Sequence, residues 1–493
     1  MDPVFLAAAL IYALVFWVVA WRYPGVALAL IFGLAPFQND LSGGVGGVKF
    51  SVSEIHLVLT LPILVAMLLR GEKRLKGWPF LAACGAYFAV CLASGFVMWR
   101  GGSALTSIFQ MTLFFFVLIP VFSIVARKPK DLMPALWALL FVSAFLASVI
   151  LVTRSQYVFG IHKNGIGGSL SCAVLVAFEL WFHYRTRESW HKWAIMALMV
   201  VIAGGLLFTV SRGAWIGAIA GVIFITAMRR QFSLLGRLAL VMVPVLVIGW
   251  LALPPETRDY AFDFSPKLGN IEARVSNQDT ALAFFEGSPI LGAGVGLRKE
   301  YDATQIVLFT LAETGVLGLL TFAYVFVAFF TMVWRTQNRL ARGEFAYSLL
   351  AIGGALMLAR LSHSMVDHYW ARGPTMMGWA AAGMATGVTL YGPRGSYAGR
   401  LRRARALLAL HLIETLRRQK RGQRVPALSA LELQHANEAL TLIGQTRQSN
   451  GKAAPRRGVA TSRNGRDSNG RDSNGARDPL RELAERVESV ESV

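Results

Sequence analysis

Runs of about 18–20 apolar residues recur along this chain from Phe5 to Leu390. Each is long enough to cross a bilayer as a helix. The 493 residues are 55% hydrophobic and only 16% charged, where soluble domains carry about a quarter charged residues. The expected fold class is therefore an all-α polytopic membrane protein. The first run, "PVFLAAALIYALVFWVVAW", lacks a basic leader and a small-residue cleavage site and reads as a retained helix. Cys84, Cys91 and Cys172 all lie in apolar runs. The first two sit about two turns apart on one helix, too far for a disulfide, and no spacing suggests a metal site.

Charge sets the orientation. The net charge of +21 would suit a nucleic-acid binder, but its distribution excludes that partner. A little under half of the excess follows Arg394, and the rest alternates from loop to loop. The basic loops are "RGEKRLKGW" (70–78), "RKPKD" (127–131), "RTRESWHKW" (185–193), "RRQFSLLGR" (229–237) and "RTQNRLARGEF" (335–345). The positive-inside rule makes them cytoplasmic. Two crossings must then separate each consecutive pair. Spans at 4–21, 24–37, 55–69, 79–98, 107–126, 133–152, 169–184, 194–211, 214–228, 238–254, 306–333, 346–362 and 374–392 satisfy that parity. About 12–13 transmembrane helices, an exterior N-terminus and a cytoplasmic C-terminus follow.

The opposite face receives 38–54, 99–106, 153–168, a long extracytoplasmic loop at 255–305, and 363–373. A loop of some fifty residues exceeds an ordinary connector and points to function. Its middle, "EARVSNQDTALAFFE", suits a helix with Val275, Leu282 and Phe285 near one face, and "GSPILGAGVGLR" reads as a turn-rich return to the membrane. Beyond the membrane domain (1–393), residues 394–425 form a basic amphipathic helix candidate suited to an anionic leaflet, and 426–493 read as largely disordered.

One cation stands out within "LLFTVSRGAWIGAIAG": Arg212 is the only charged side chain between Lys192 and Arg229. Arginine is costly inside a bilayer, so it must reach water or bind an anion. The topology places it at the exterior turn between two helices. Arg274, Arg298 and Lys163 share that face, with Arg154, Arg360 and Arg372 as further cations there. A guanidinium fork matches phosphate oxygens and stays charged at any relevant pH. Such a group can hold the pyrophosphate of a polyprenyl-linked sugar without a metal. Each cation also has a plainer reading as an interface anchor or loop ion-pair partner. In "RLSHSMVDHYWARG", His363 and Asp367 are four apart, on one face if the helix continues, and a histidine oriented by a carboxylate suits general-base chemistry. The alternative is an interfacial cluster with belt aromatics. "GIHKNGIGG" offers His162, Lys163 and Asn164 in a short exterior loop. "GAGVGLR" lacks the strand–helix setting of a nucleotide site.

Four segments resemble one family. "FTVSRGAWIGAIAG", "ARVSNQDTALAFFEGSPILGAGVGLR", "LFTLAETGVLGLLTF" and "HKNGIGGSLS" are similar to motifs of the O-antigen ligase and O-antigen polymerase superfamily, over roughly residues 25–392. The resemblance implies a metal-independent glycosyltransferase without a cofactor. It would move a glycan from undecaprenyl pyrophosphate to an acceptor hydroxyl on a glycan or lipid A core at the exterior face of the inner membrane. It implies pyrophosphate binding by Arg212, Arg274 and Arg298. The family often carries His-Asn about nine residues before the motif glutamate. Here Thr304 and Gln305 precede Glu313 instead. Asp302, His363 and Asp367 are the substitute candidates for the base. Membrane lipids are expected partners, and nucleic acid is not. The competing class is a transporter or flippase for an anionic lipid or polysaccharide, which would place charges near the midplane and break its helices in repeated halves.

Overall fold

The computed structural model describes residues 3–37, 51–71, 79–155, 157–185, 189–233, 236, 269–297, 305–366 and 372–392. The expected span at 238–254, the sites Arg298, Asp302 and Asp367, and the segments 394–425 and 426–493 lie outside them. The architecture is all-α and polytopic. Among the described residues there is no strand, and nine helices are long and apolar enough to cross a membrane.

Helices α1 (Pro3–Arg22), α2 (Pro24–Gly33) and α3 (Val52–Leu69) open the chain. Pro24 removes a backbone donor and ends α1, and the chain turns by 116° into α2. Ten residues rise only about 15 Å, yet the segment still travels far. Gly25 abuts Asp131 and Pro134 at one end, and the Phe37 ring lies 6.2 Å from that of Phe159 at the other. Helix α3 starts with a capping box, in which Ser51 and Glu54 satisfy each other's backbone donors. It runs parallel to α1, with Tyr12 against His56 and Trp17 donating to Leu59 O.

Helices α4 (Pro79–Val97), α5 (Gly102–Thr112), α6 (Met133–Thr153), α7 (Lys163–Tyr184), α8 (His191–Phe208) and α9 (Arg212–Arg229) follow. Past Thr112 the span of α5 widens into two π-helical stretches, Leu113–Leu118 and Val121–Val125, on either side of Ile119 and Pro120. The wider turn accommodates a proline ring that would crowd an α-helix. Two starts differ from the sequence reading. Helix α7 begins at Lys163, not at 169, so "KNGIGG" is helix rather than loop. Helix α9 begins at Arg212. Glycines ordinarily mark loops; here they are buried contact points between helices.

The remaining elements are α10 (Gly269–Gly287), α11 (Ile306–Gln337), α12 (Phe345–Ser364) and α13 (Arg372–Tyr391). Helix α10 forms within the long loop, and its residues in the small apolar cluster beside α11 are Ala281 and Phe284. Val275 and Leu282 are exposed, whereas Ala281 is buried and Phe284 packs with Leu297 and Phe309. A helix so polar carries too few apolar residues for periodicity to choose a side. Helix α13 is rich in Gly, Ala and Thr, and its residues from Thr375 to Thr386 are all buried. Its small residues admit close backbone approach in the manner of membrane helix pairs: a Cβ at Gly383 would lie 2.8 Å from Ile119 O, and one at Gly387 3.1 Å from Ser123.

The loops expected to be basic and cytoplasmic meet at one end of the bundle. Arg70 and Arg127 lie over the Trp21 ring at 4.7 and 5.8 Å, and Arg185 donates to Gln231 at 2.7 Å. At this end Arg229 pairs with the fully buried Glu179, donates to Arg342 O and to Ser348 Oγ, and faces the Tyr347 ring at 4.8 Å. The cluster ties α7, α9 and α12 together.

Candidate anion site at the opposite end

The other ends of those same three helices converge. Helix α7 is capped by His162, whose Nδ1 accepts from the Asn164 N–H at 3.3 Å. Burial, with the neighbouring Lys163 charge second, pushes this imidazole below its ordinary pKa of 6.5, as suits an acceptor nitrogen that must stay unprotonated. Lys163 is the first residue of α7 and is half-buried. Helix α9 is different: Ser211 stands at the N-cap but makes no side-chain cap bond. The leading N–H groups of α9 have no intrahelical acceptor and receive no cap from Ser211, and Arg212, half-buried, stands at the first position. The positive end of the helix dipole adds to that charge.

Glycines let the three ends touch. Around Gly167, a Cβ would lie 2.8 Å from the Cβ of Ser211 and 3.1 Å from that of Ala214, so the first turn of α7 is seated on the start of α9. A Cβ at Gly213 would meet His363 Cδ2 at 2.5 Å, and one at Gly168 would meet Arg360 Nη1 at 2.7 Å. His363 and Arg360 are each 1% exposed. Arg360 Nη1 donates to His363 Nδ1 at 3.0 Å, which places the neutral imidazole proton on Nε2. Arg274 reaches the same place from α10, donating through Nη1 to Val366 O at 2.8 Å, and Val366 N–H donates to His363 O. Arg212, Arg274, Lys163 and His363 therefore lie at one end of the helix bundle. Arg154 is instead an exposed C-cap of α6 in the left-handed region.

A second construction leads from this site to the sequence position of Arg298. Helix α11 breaks at Gly315, whose φ of 66° is left-handed. The turn after α10 fills the break. Ala293 N–H donates to Ala312 O at 2.7 Å and Gly294 N–H to Glu313 O at 3.1 Å, while Val316 N–H donates back to Pro289 O at 2.9 Å. Glu313 is 4% exposed, and its Oε1 accepts from Gly296 N–H at 2.6 Å. Gly292, Gly294 and Gly296 all have positive φ and pack where a side chain would strike Glu313, Met98 and Ser103. The alternating glycines of "LGAGVG" thus serve a backbone clamp.

Residues missed by the sequence reading belong to this clamp. Ser94 Oγ donates to Glu313 O at 2.9 Å, and Arg100 Nε donates to Ala293 O at 2.8 Å. The sequence marks Arg100 only as a cation in the loop "WRGGSALT", expected on the exterior face. Residues 197–323, which include Arg212, Arg274 and the clamp, match the family model described as O-antigen ligase. No curated protein matches the chain.

Proposed function

Through residues 197–323 the chain belongs to the O-antigen ligase family, and on that premise we propose that it moves a glycan from undecaprenyl pyrophosphate to an acceptor hydroxyl on a glycan or lipid A core. The reaction takes place at the outer face of the inner membrane, with the C-terminal tail in the cytoplasm. The observation that supports the proposal is that Arg212, Arg274 and Lys163 lie at the ends of elements that converge on the start of α9. Guanidinium forks and the backbone N–H groups of a helix start are the donors a diphosphate requires. Arg298 joins them in this reading, since it directly follows the clamped turn at Leu297.

The same donors serve the chemistry. Charge builds on the pyrophosphate as the glycosyl bond breaks, and donors already in place stabilise it without reorganisation. His363 braces the site, because its Nδ1 is engaged by Arg360 and its ring is enclosed by α7 and α9. The acceptor proton goes to Asp367, the residue after the Val366 carbonyl that holds Arg274, with Asp302 as the alternative carboxylate. A transporter would leave the carbonyls of a broken helix open to its cargo; at the α11 break, those of Ala312 and Glu313 already accept from Ala293, Gly294 and Ser94.

The test is glycan transfer by the purified chain with lipid-linked donor in metal-free buffer, comparing Arg212→Lys and Arg274→Lys with the original. Lysine keeps the charge and loses the fork. Each variant should lose roughly a hundredfold in kcat. Full activity in both removes the proposal.

A further inference from the structure

Arg100 sits at the corner between α4 and α5, outside the group of cations just described. Its Nε donates to Ala293 O at 2.8 Å, and its guanidinium lies 5.7 Å from the centroid of the Phe284 ring. It therefore holds two elements at once: the glycine turn and α10. The rest of the corner fits the same turn. Gly95 faces Ile108 and Val295, Gly294 is pressed against Met98 O, and Gly296 against the Ser103–Ala104 backbone. The turn continues into Arg298, and α10 carries Arg274 about two turns before Ala281, which is buried against Leu297 and Phe309.

We infer that Arg100 is a positioning residue that fixes the glycine turn and α10 to one another and thereby sets where Arg274 meets the diphosphate. This rests on the transferase reading above. Arginine suits the task because one planar group can bond a carbonyl at its edge while lying near an aromatic ring. Arg100 does not touch substrate in this assignment; its effect passes through the backbone of residues 284–297.

The test compares the full-length chain with Arg100→Ala, Arg100→Lys and Phe284→Leu in the same detergent or nanodisc. Two readouts are taken: hydrogen exchange along the chain, and kcat and KM for the lipid-linked donor. In Arg100→Ala, faster exchange should be confined to residues 269–297. The kcat should fall tenfold to a hundredfold, the scale expected when reacting groups are displaced by about 1 Å, while KM changes by less than about threefold. Arg100→Lys and Phe284→Leu should fall between. Unchanged exchange with full kcat in Arg100→Ala overturns the inference. So does exchange that rises throughout the chain with a collapse in melting temperature, since Arg100 would then be a general fold residue. Localised exchange with no transfer by any form, the unsubstituted chain included, supports the coupling and sinks the transferase reading instead.

Discussion

Gly213 and Gly168 carry as much of the site as its cations do. Each stands where a methyl group would strike His363 or Arg360. Gly213→Ala should cost about 1–3 kcal/mol by overpacking and lower activity, read as a melting shift together with lost transfer; a variant with unchanged melting would mean the contact relaxes freely. His162 supplies a pH prediction. Its folded pKa lies below 6.5, so the fold disfavours the protonated form. Its contribution to stability is complete above 6.5 and is lost as pH falls from there through the depressed folded value. His162→Asn keeps an acceptor at the N-cap without a titrating group. Melting of that variant should therefore depend less on pH below about 6.5, and an identical pH profile would contradict the assignment. At this scale the sequence singles out Arg212 by its isolation among apolar residues. It was silent about Arg100, because one arginine beside a tryptophan at a predicted membrane interface looks like any belt residue.

Among the elements, the apolar helices were legible because membrane segments must satisfy their own backbone and so declare themselves by length. What was not legible was the use of glycine. The run "HKNGIGG" looked like a loop, yet it forms the first two turns of α7 with its glycines buried against α9 and α12. The glycines of "LGAGVG" were read as a turn, which they are, but their purpose depends on the break in α11 that they fill. No local pattern reports a partner segment elsewhere in the chain. The clamp predicts that Glu313→Gln, which replaces a charge-assisted bond to Gly296 N–H with a neutral one, will speed hydrogen exchange in residues 289–297 and in the α11 segment around Gly315. Protection equal to the original would show that the backbone bonds suffice alone.

For the whole molecule, α7, α9 and α12 each run from the candidate site at one end to the Glu179–Arg229 cluster at the other. The pair is buried, so removing one partner strands a charge. Glu179→Gln should destabilise by about 3–5 kcal/mol, whereas Glu179→Leu combined with Arg229→Met should come near neutral. A mild effect of the single change would show that Arg229 finds compensation elsewhere. Orientation is testable separately. Tyr157 and Trp190 are 60% and 68% exposed at opposite ends of the bundle. A membrane-impermeant maleimide on intact spheroplasts should label Tyr157→Cys and should reach Trp190→Cys only after permeabilisation; the reverse pattern would invert the topology.

The most direct measurement uses a prenyl diphosphate with a photoreactive group beside its phosphates, cross-linked to the full-length chain and mapped by mass spectrometry. Adducts should fall within residues 162–168, 209–214, 274–278 and 363–367, and all should be depleted by unlabelled prenyl diphosphate. Adducts concentrated around Arg185, Arg229 and Arg342, or spread without preference over both ends of the bundle, would contradict the proposed site.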